Sequence, residues 1–155
     1  MRKLISDGLR VALISALPIT ELRGAIPLAL TIYEMSVFPA YFFAILGNIV
    51  PAFFLLLYLK PFSDFLCRWR LFNVFFEWLF KRTRRKNKEK FEKYGALFLL
   101  FFVAIPLPIT GAWTGSIAAF VFGIRFWYAF PMIVGGIMVS GVIVTLASLG
   151  IISFI

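Results

Sequence analysis

The sequence has no histidine, one cysteine and few charged residues, and each scarcity excludes a class of protein. Without histidine the chain lacks the commonest metal ligand and general base. Cys67 alone forms neither an intramolecular disulfide nor an all-cysteine metal site. Charged residues make up 15% of the chain and hydrophobic residues 62%, whereas a soluble domain is about a quarter charged. We therefore expect no bound metal, no cofactor and no soluble catalytic core.

Ionisable side chains are nearly absent from three long stretches. The stretch 11–59 holds three of them, and the stretches 94–124 and 126–155 hold none. A membrane-spanning helix needs about 20 largely apolar residues. The pattern predicts an all-α integral membrane protein with transmembrane helices at 37–59 and 126–155, because 155 residues supply too little polar surface to cover such helices in water.

The segment 60–93 carries most of the net charge of +9. Excess Lys and Arg predict a cytoplasmic loop, so the charge indicates no nucleic-acid partner. Its aromatic first part predicts an amphipathic helix at the membrane surface. The basic part either contacts anionic lipid headgroups or only fixes the topology. The residues expected at such headgroups are Lys81, Arg82, Arg84, Arg85 and Lys86.

Two apolar segments, Val11–Ile32 and Tyr94–Ile124, are each interrupted by proline. Proline lacks an amide donor and ends or kinks a helix. As one straight helix the second segment would be about 46 Å long, more than the hydrocarbon thickness. We therefore predict that each segment is a re-entrant hairpin. The alternative is that each is a single kinked span, which gives four spans with both termini cytoplasmic.

The two broken segments also share a motif. Leu17–Thr20, with the sequence LPIT, is repeated as Leu107–Thr110, and in each copy small residues and one long apolar stretch follow. Two hairpins would enter from opposite faces and form an inverted repeat, although basic residues near the N-terminus would then lie outside. The predicted single membrane domain consists of an N-terminal helix and hairpin (1–36), a transmembrane helix (37–59), the cytoplasmic linker (60–93), a second hairpin (94–124) and a second transmembrane helix (126–155).

Glu21 and Arg23 are the candidate functional pair, because ionisable residues inside apolar segments are costly and usually functional. They follow the Pro18 break, where a helix N-terminus favours an anion. We expect Arg23 to bind an anionic group and Glu21 to take up a proton. The alternative is that the two side chains pair only to hold the hairpin. The predicted substrate-binding residues are Thr20, Glu21, Arg23, Gly24, Asn48, Thr110, Gly111, Trp113 and Thr114. Helix packing is the alternative role for the uncharged members.

The stretches Glu21–Pro27 and Pro106–Gly115, read ELRGAIP and PLPITGAWTG, resemble the small multidrug export protein family. That family is distantly similar to the DedA-type membrane proteins. The latter resemblance implies paired re-entrant hairpins with essential acidic and arginine residues, in the bacterial inner (plasma) membrane. It also implies proton-linked handling of lipids such as undecaprenyl phosphate. Glu21 and Arg23 match that type of site, whereas the second hairpin departs from it with Trp113 in place of an arginine.

The leading hypothesis is a multi-pass transporter that moves an amphipathic anionic lipid. We expect it to work as a homodimer in contact with membrane lipids. An exporter of small hydrophobic or cationic compounds is the first alternative, and it requires Glu21 but not Arg23. A non-transporting scaffold whose basic linker binds a partner is the second. No enzyme is expected, because the sequence has no paired carboxylates, metal-ligand cluster or phosphate-binding glycine loop.

Overall fold

The described part of the chain is built from helices alone. A computed structural model describes residues 2–66, 88–107 and 110–154, with side chains for 4–59, 93–107 and 110–151. No strand occurs in these ranges, which confirms the all-helical prediction. The helices are α1 (Arg2–Ala16), α2 (Glu21–Thr31), α3 (Val37–Leu66), α4 (Lys88–Ala104), α5 (Ala112–Val121) and α6 (Phe126–Phe154).

Two of the described helices are long and apolar enough to cross a bilayer. They are Val37–Leu59 within α3, with 23 residues, and Phe126–Ile151 within α6, with 26 residues. These positions agree with the two predicted spans. The α3 helix continues past Leu59 to Leu66. The predicted surface helix from residue 67 onward and the five basic residues expected to contact lipid headgroups lie outside the described residues.

Both proline-containing segments are broken where the sequence predicts. The first break covers residues 17–20, around Pro18, and the second covers residues 105–111, of which Pro108 and Ile109 are outside the described residues. Proline cannot donate its amide to the preceding turn, so the helix before it ends. The LPIT motif therefore marks the end of one helix and the start of the next in both halves.

A threonine closes each break by donating its hydroxyl back toward the preceding helix. Thr20 donates to the carbonyl of Ile14, and Thr110 donates to the carbonyl of Ile105. The last carbonyls of a helix have no partner within the helix. Here the Ile14 carbonyl also accepts the Leu17 N–H and the Ile105 carbonyl the Leu107 N–H, so each threonine adds a second hydrogen bond where the chain leaves the helix.

The helices pack in the same order in the two halves. The helix before each break packs on the long helix of its own half, α1 on α3 and α4 on α6. The helix after each break also packs on the long helix of the other half, α2 on α6 and α5 on α3. The short helices α2 and α5 are therefore held between the two long ones.

The two long helices run in opposite directions. Near the start of α3, the Tyr41 hydroxyl donates to the carbonyl of Met138, well along α6, over 3.0 Å. Further along α3, the Phe53 ring lies 5.7 Å from that of Phe126 and 5.6 Å from that of Phe130, at the start of α6. Successive contacts along α3 thus move backwards along α6.

By contrast, α4 and α6 run in the same direction. The Ile124 side chain, just before α6, lies against Gly95 early in α4. The Val103 side chain, late in α4, lies against Gly136 further along α6. The second contact lies later than the first in both helices, so α4 and α6 are parallel. The chain must therefore run back in the opposite direction between them.

The interior is rich in alanine, and many large apolar side chains lie on the outside. Ile19, Phe38 and Trp127 are 94%, 76% and 82% exposed. Membrane helices associate through small residues and turn large apolar side chains toward lipid, whereas a soluble monomer rarely exposes such large apolar patches. This distribution agrees with a membrane location. The fully buried alanines are Ala25, Ala29, Ala40, Ala44, Ala52, Ala112, Ala119 and Ala129.

The closest approach of α1 to α3 is at Gly47, where an added Cβ would overlap the backbone carbonyl of Ala12. Gly47→Ala should therefore destabilise the protein by about 1–3 kcal/mol, measured as a lower thermal unfolding midpoint in detergent. Gly150 on α6 is the control, because an added Cβ there meets nothing within 4 Å. Gly150→Ala should leave the midpoint unchanged or raise it. Equal midpoints for the two variants would contradict the close contact.

Candidate functional site

Glu21 and Arg23 form an ion pair at the start of α2. Nη2 of Arg23 lies 3.9 Å from Oε2 of Glu21, and Glu21 is 8% exposed. Residues two apart on a regular helix point to different sides. Glu21 is the first residue of α2 and has a positive φ of 43°, so regular helical spacing does not govern this pair. A non-glycine residue in that conformation costs about 1–2 kcal/mol, and such strain is concentrated at functional sites.

The Glu21 carboxylate lies at the N-terminus of α5, in the second half of the chain. Its Oε1 accepts a long hydrogen bond of 3.5 Å from the backbone N–H of Trp113. The N-cap residue of α5, Gly111, makes no side-chain cap. A helix N-terminus carries unpaired amides and partial positive charge. The carboxylate from the first break therefore supplies the cap that the second break lacks.

Gly111 leaves the space that this carboxylate occupies. A Cβ added to Gly111 would overlap both carboxylate oxygens of Glu21. The φ of Gly111 is 161°, which is extended backbone that any residue adopts. Glycine is therefore required here for room and not for its backbone conformation.

Each half also sends one side-chain donor to the break of the other half. The Arg23 guanidinium donates to the carbonyl of Thr110, and Nε1 of Trp113 donates to the carbonyl of Ala16 at 3.1 Å. Arg23 and Trp113 occupy the same position after their LPIT motifs. The departure noted in the sequence, tryptophan in place of a second arginine, therefore keeps an N–H donor while removing a charge.

A small polar cavity adjoins the pair. Its room for a water-sized solute is about 10 Å³, close to the minimum that holds one water molecule. Asn48, on α3, is 1% exposed, and its Oδ1 has no hydrogen-bond partner among the described residues. The cavity is lined by Glu21, Leu22, Arg23, Asn48, Val103, Gly111, Ala112, Ile137 and Ser140.

A much larger apolar groove is lined in part by Trp113. Its volume is about 590 Å³, in the range of small-molecule sites. Trp113 lines this groove with its side chain, while its backbone N–H faces Glu21. The remaining lining residues are Ala16, Val50, Pro51, Phe54, Leu55, Tyr58 and Leu59.

The structure brings six of the nine predicted site residues together. Glu21, Arg23, Asn48 and Gly111 line the polar cavity, while Thr110 and Trp113 contact the ion pair.

The other three predicted residues have local contacts and do not line this cavity. Thr20 closes its own break, Gly24 lies against Thr20, and the Thr114 hydroxyl donates to the Gly111 carbonyl at 3.3 Å.

Ser140, a buried residue of α6 that lines the cavity, is not among the site residues predicted from the sequence. Ser140 follows Gly136 by four residues, and positions four apart share one face of a helix. The close helix contact that the glycine allows therefore indicates which serine faces inward. For metals, the described residues contain no cluster of three or more Asp, Glu, Cys or His side chains that could bind one.

The fold and the site together define an all-helical membrane protein whose polar site lies between two broken helices. The chain belongs to the family described as "Putative small multi-drug export protein", whose model matches residues 21–143. The match begins at Glu21, directly after the first break, and includes the second break, which confirms the resemblance seen in the sequence. No curated protein and no solved structure matches the chain.

Gly111→Ala should displace the Glu21 carboxylate and destabilise the protein by about 1–3 kcal/mol. The thermal unfolding midpoint in detergent measures this loss. Gly135→Ala is the matched control, since an added Cβ there meets only ordinary contact with Leu100 at 3.4 Å. In a Glu21→Ala background the Gly111→Ala change should cost much less, because its clash is gone. An equal cost in both backgrounds would contradict the contact.

Proposed function

We propose that the protein is a membrane transporter for an amphipathic anionic substrate, such as a polyprenyl phosphate lipid of the undecaprenyl phosphate type. The observation that carries this proposal is that Trp113 lines a large apolar groove while its backbone N–H contacts Glu21 of the charged pair. An anionic headgroup would bind at Arg23, and its hydrocarbon chain would lie in the groove. The two surfaces match the two parts of one amphipathic molecule.

Arg23 is the group that would bind the anion. A guanidinium presents several donors in a plane and suits phosphate and carboxylate oxygens. Arg23 donates to the Thr110 carbonyl and its side chain is 28% exposed. A phosphate oxygen would replace that carbonyl as acceptor, so substrate binding would loosen the contact between the two breaks.

Glu21 would couple this binding to protons. An ionised Glu21 and an anionic headgroup compete for the same guanidinium, since Glu21 already pairs with Arg23 at 3.9 Å. Protonation removes the negative charge of Glu21 and leaves Arg23 to the substrate. Proton and substrate therefore favour each other's binding, and this coupling is reciprocal.

Transport would require the two breaks to separate. The polar cavity has room for about one water, which is too little for a phosphate group. The arrangement therefore corresponds to a closed site in this proposal. Opening would exchange the contacts of Arg23 with Thr110 and of Glu21 with Trp113 for contacts with substrate and water.

We further propose that the two broken segments are re-entrant hairpins forming an inverted repeat. Helix directions support this. If each segment were one kinked span, α3 and α6 would cross the membrane in the same direction, but their contacts run oppositely. A kinked second span would also make α4 and α6 antiparallel, and they are parallel. Broken helices facing each other at the midplane are a common design of transporter sites.

The remaining parts of the proposal concern the setting of the molecule. We place it in the inner (plasma) membrane as a multi-pass protein with a cytoplasmic basic linker and no enzymatic step. A homodimer would help to shield irregular backbone from lipid. Export of small hydrophobic or cationic compounds is the second candidate, favoured by the family description and by the apolar groove.

Two substitutions separate these candidates. In vesicles reconstituted with a fluorescent polyprenyl phosphate, Arg23→Gln and Glu21→Gln should each reduce transport at least tenfold, because one removes the anion site and the other the proton site. Arg10→Gln is the matched control, since the Arg10 side chain is 64% exposed and lies 3.7 Å from Asp7, outside the site.

Transport that persists in both variants would contradict the mechanism. Drug export would be favoured by uptake of a cationic dye that Glu21→Gln abolishes and Arg23→Gln leaves normal, because such export requires no anion site. Uptake of a cationic dye by the same vesicles, measured in parallel, shows which substrate class the wild-type protein accepts.

The inverted topology makes its own prediction. In a Cys67→Ser background, a single cysteine at Lys3 should react with a membrane-impermeant maleimide added outside the cell, whereas one at Lys81 should react only after the membrane is opened. Ile19→Cys, at a position 94% exposed at the tip of the first break, tests how deep that break lies. Labelling of the Lys3 position from the cytoplasm alone would contradict the first hairpin.

A further inference from the structure

Asn48 carries a buried acceptor without a donor. Its side chain lies on α3, is 1% exposed and lines the same cavity as Glu21. Its Oδ1 has no hydrogen-bond partner among the described residues. A buried polar atom without a partner costs about 1–3 kcal/mol. The position is therefore expected to have a donor in some state of the protein.

The groups around the cavity limit what that donor can be. Helix α2 presents Glu21 and Arg23, α5 presents the Trp113 N–H beside Gly111, and α6 presents Ser140. Arg23 and the Trp113 N–H already contact the Glu21 carboxylate or the second break. Within the described lining, Glu21 is the one acid and Arg23 the one base.

Ionised and protonated Glu21 differ in what they offer Asn48. A carboxylate only accepts hydrogen bonds, while a carboxylic acid has one O–H to donate. The cavity that both side chains line has room for about one water. A water there would donate to Asn48 in either state of Glu21, so the donor that depends on the proton is the O–H of the acid itself.

We propose that Asn48 is a positioning residue for the proton of Glu21. The proton comes from water, binds one carboxylate oxygen and makes the acid neutral. Its O–H then donates to Asn48 Oδ1. Release reverses these steps and returns the carboxylate to Arg23 and the Trp113 N–H. The inference rests on the proposed proton uptake by Glu21 and names the residue that stabilises the protonated form.

The second half of the chain supports this assignment. Asn48 follows Gly47, where α1 meets α3, just as Ile137 follows Gly136, where α4 meets α6. Asn48 and Ile137 line the same cavity. The amide thus occurs in the half whose break is followed by an acid, and an apolar residue takes its place in the half whose break is not. A general packing role would not require this association.

Infrared difference spectroscopy tests the proposal on the full chain in lipid without substrate. Spectra between high and low pH should contain a C=O band of protonated carboxyl that Glu21→Gln removes. In Asn48→Leu this band should shift to higher frequency, because the O–H loses its acceptor. Its titration midpoint should fall by about one pH unit, since the protonated form loses one hydrogen bond.

Two further variants make the result specific. Asn48→Ser keeps a hydroxyl acceptor and should keep the band near its wild-type frequency. Thr145→Val is the control for a buried polar deletion, because the Thr145 hydroxyl donates to Gly141 within α6 at 2.7 Å. It should leave the band unchanged.

An Asn48→Leu band at the wild-type frequency would overturn the inference, as would the absence of any Glu21 band. A titration that depends on Na⁺ in the wild type and not in Asn48→Leu would also overturn it and make the cavity a sodium site. These outcomes are distinct from failure of the proposed function. If Glu21→Gln abolishes transport while the carboxyl band has the same frequency in Asn48→Leu as in the wild type, only the proposed role of Asn48 is wrong.

Discussion

The structure depends on one exchange of hydrogen bonds between two broken helices. A break inside an apolar bundle leaves backbone groups unpaired, and each such group costs several kcal/mol away from water. Here each break is completed by the other half. The Glu21 carboxylate meets the N-terminus of α5, Arg23 donates to Thr110, and Trp113 donates to Ala16. Neither half could satisfy its own break in this way.

This dependence links stability to function. The contacts that hold the halves together involve the same groups that would bind an anion and a proton. Any motion that opens the site must replace the Thr110 carbonyl and the Trp113 amide with other partners. Substrate and water are suitable replacements, so an opening without them would be costly. A transporter benefits from this arrangement, because opening is then tied to binding.

Much of the architecture could be predicted from the sequence because it follows from local rules. Long apolar stretches without charged side chains predict the spans within α3 and α6, and the prolines predict both breaks. The contact of Glu21 with Gly111 could not be predicted, because it joins residues distant in the chain across two helices. The ion pair between Glu21 and Arg23 could not be predicted either, since it depends on a positive φ at Glu21. Ser140 was missed for a similar reason, as burial on α6 depends on its neighbours.

The two halves have the same order of helices and breaks, but only the first break is followed by charged residues. This difference leaves a single charged site. If the second break repeated the acid and the arginine, two like pairs would meet at the centre, where like charges repel strongly in a low dielectric. Instead Gly111 stands opposite Glu21 and leaves it room, and Trp113 keeps the cross-contact of Arg23 without its charge. One acid and one base then remain between the halves. In the proposed function this single pair would bind the polar headgroup, and the apolar groove lined by Trp113 would hold the hydrocarbon chain.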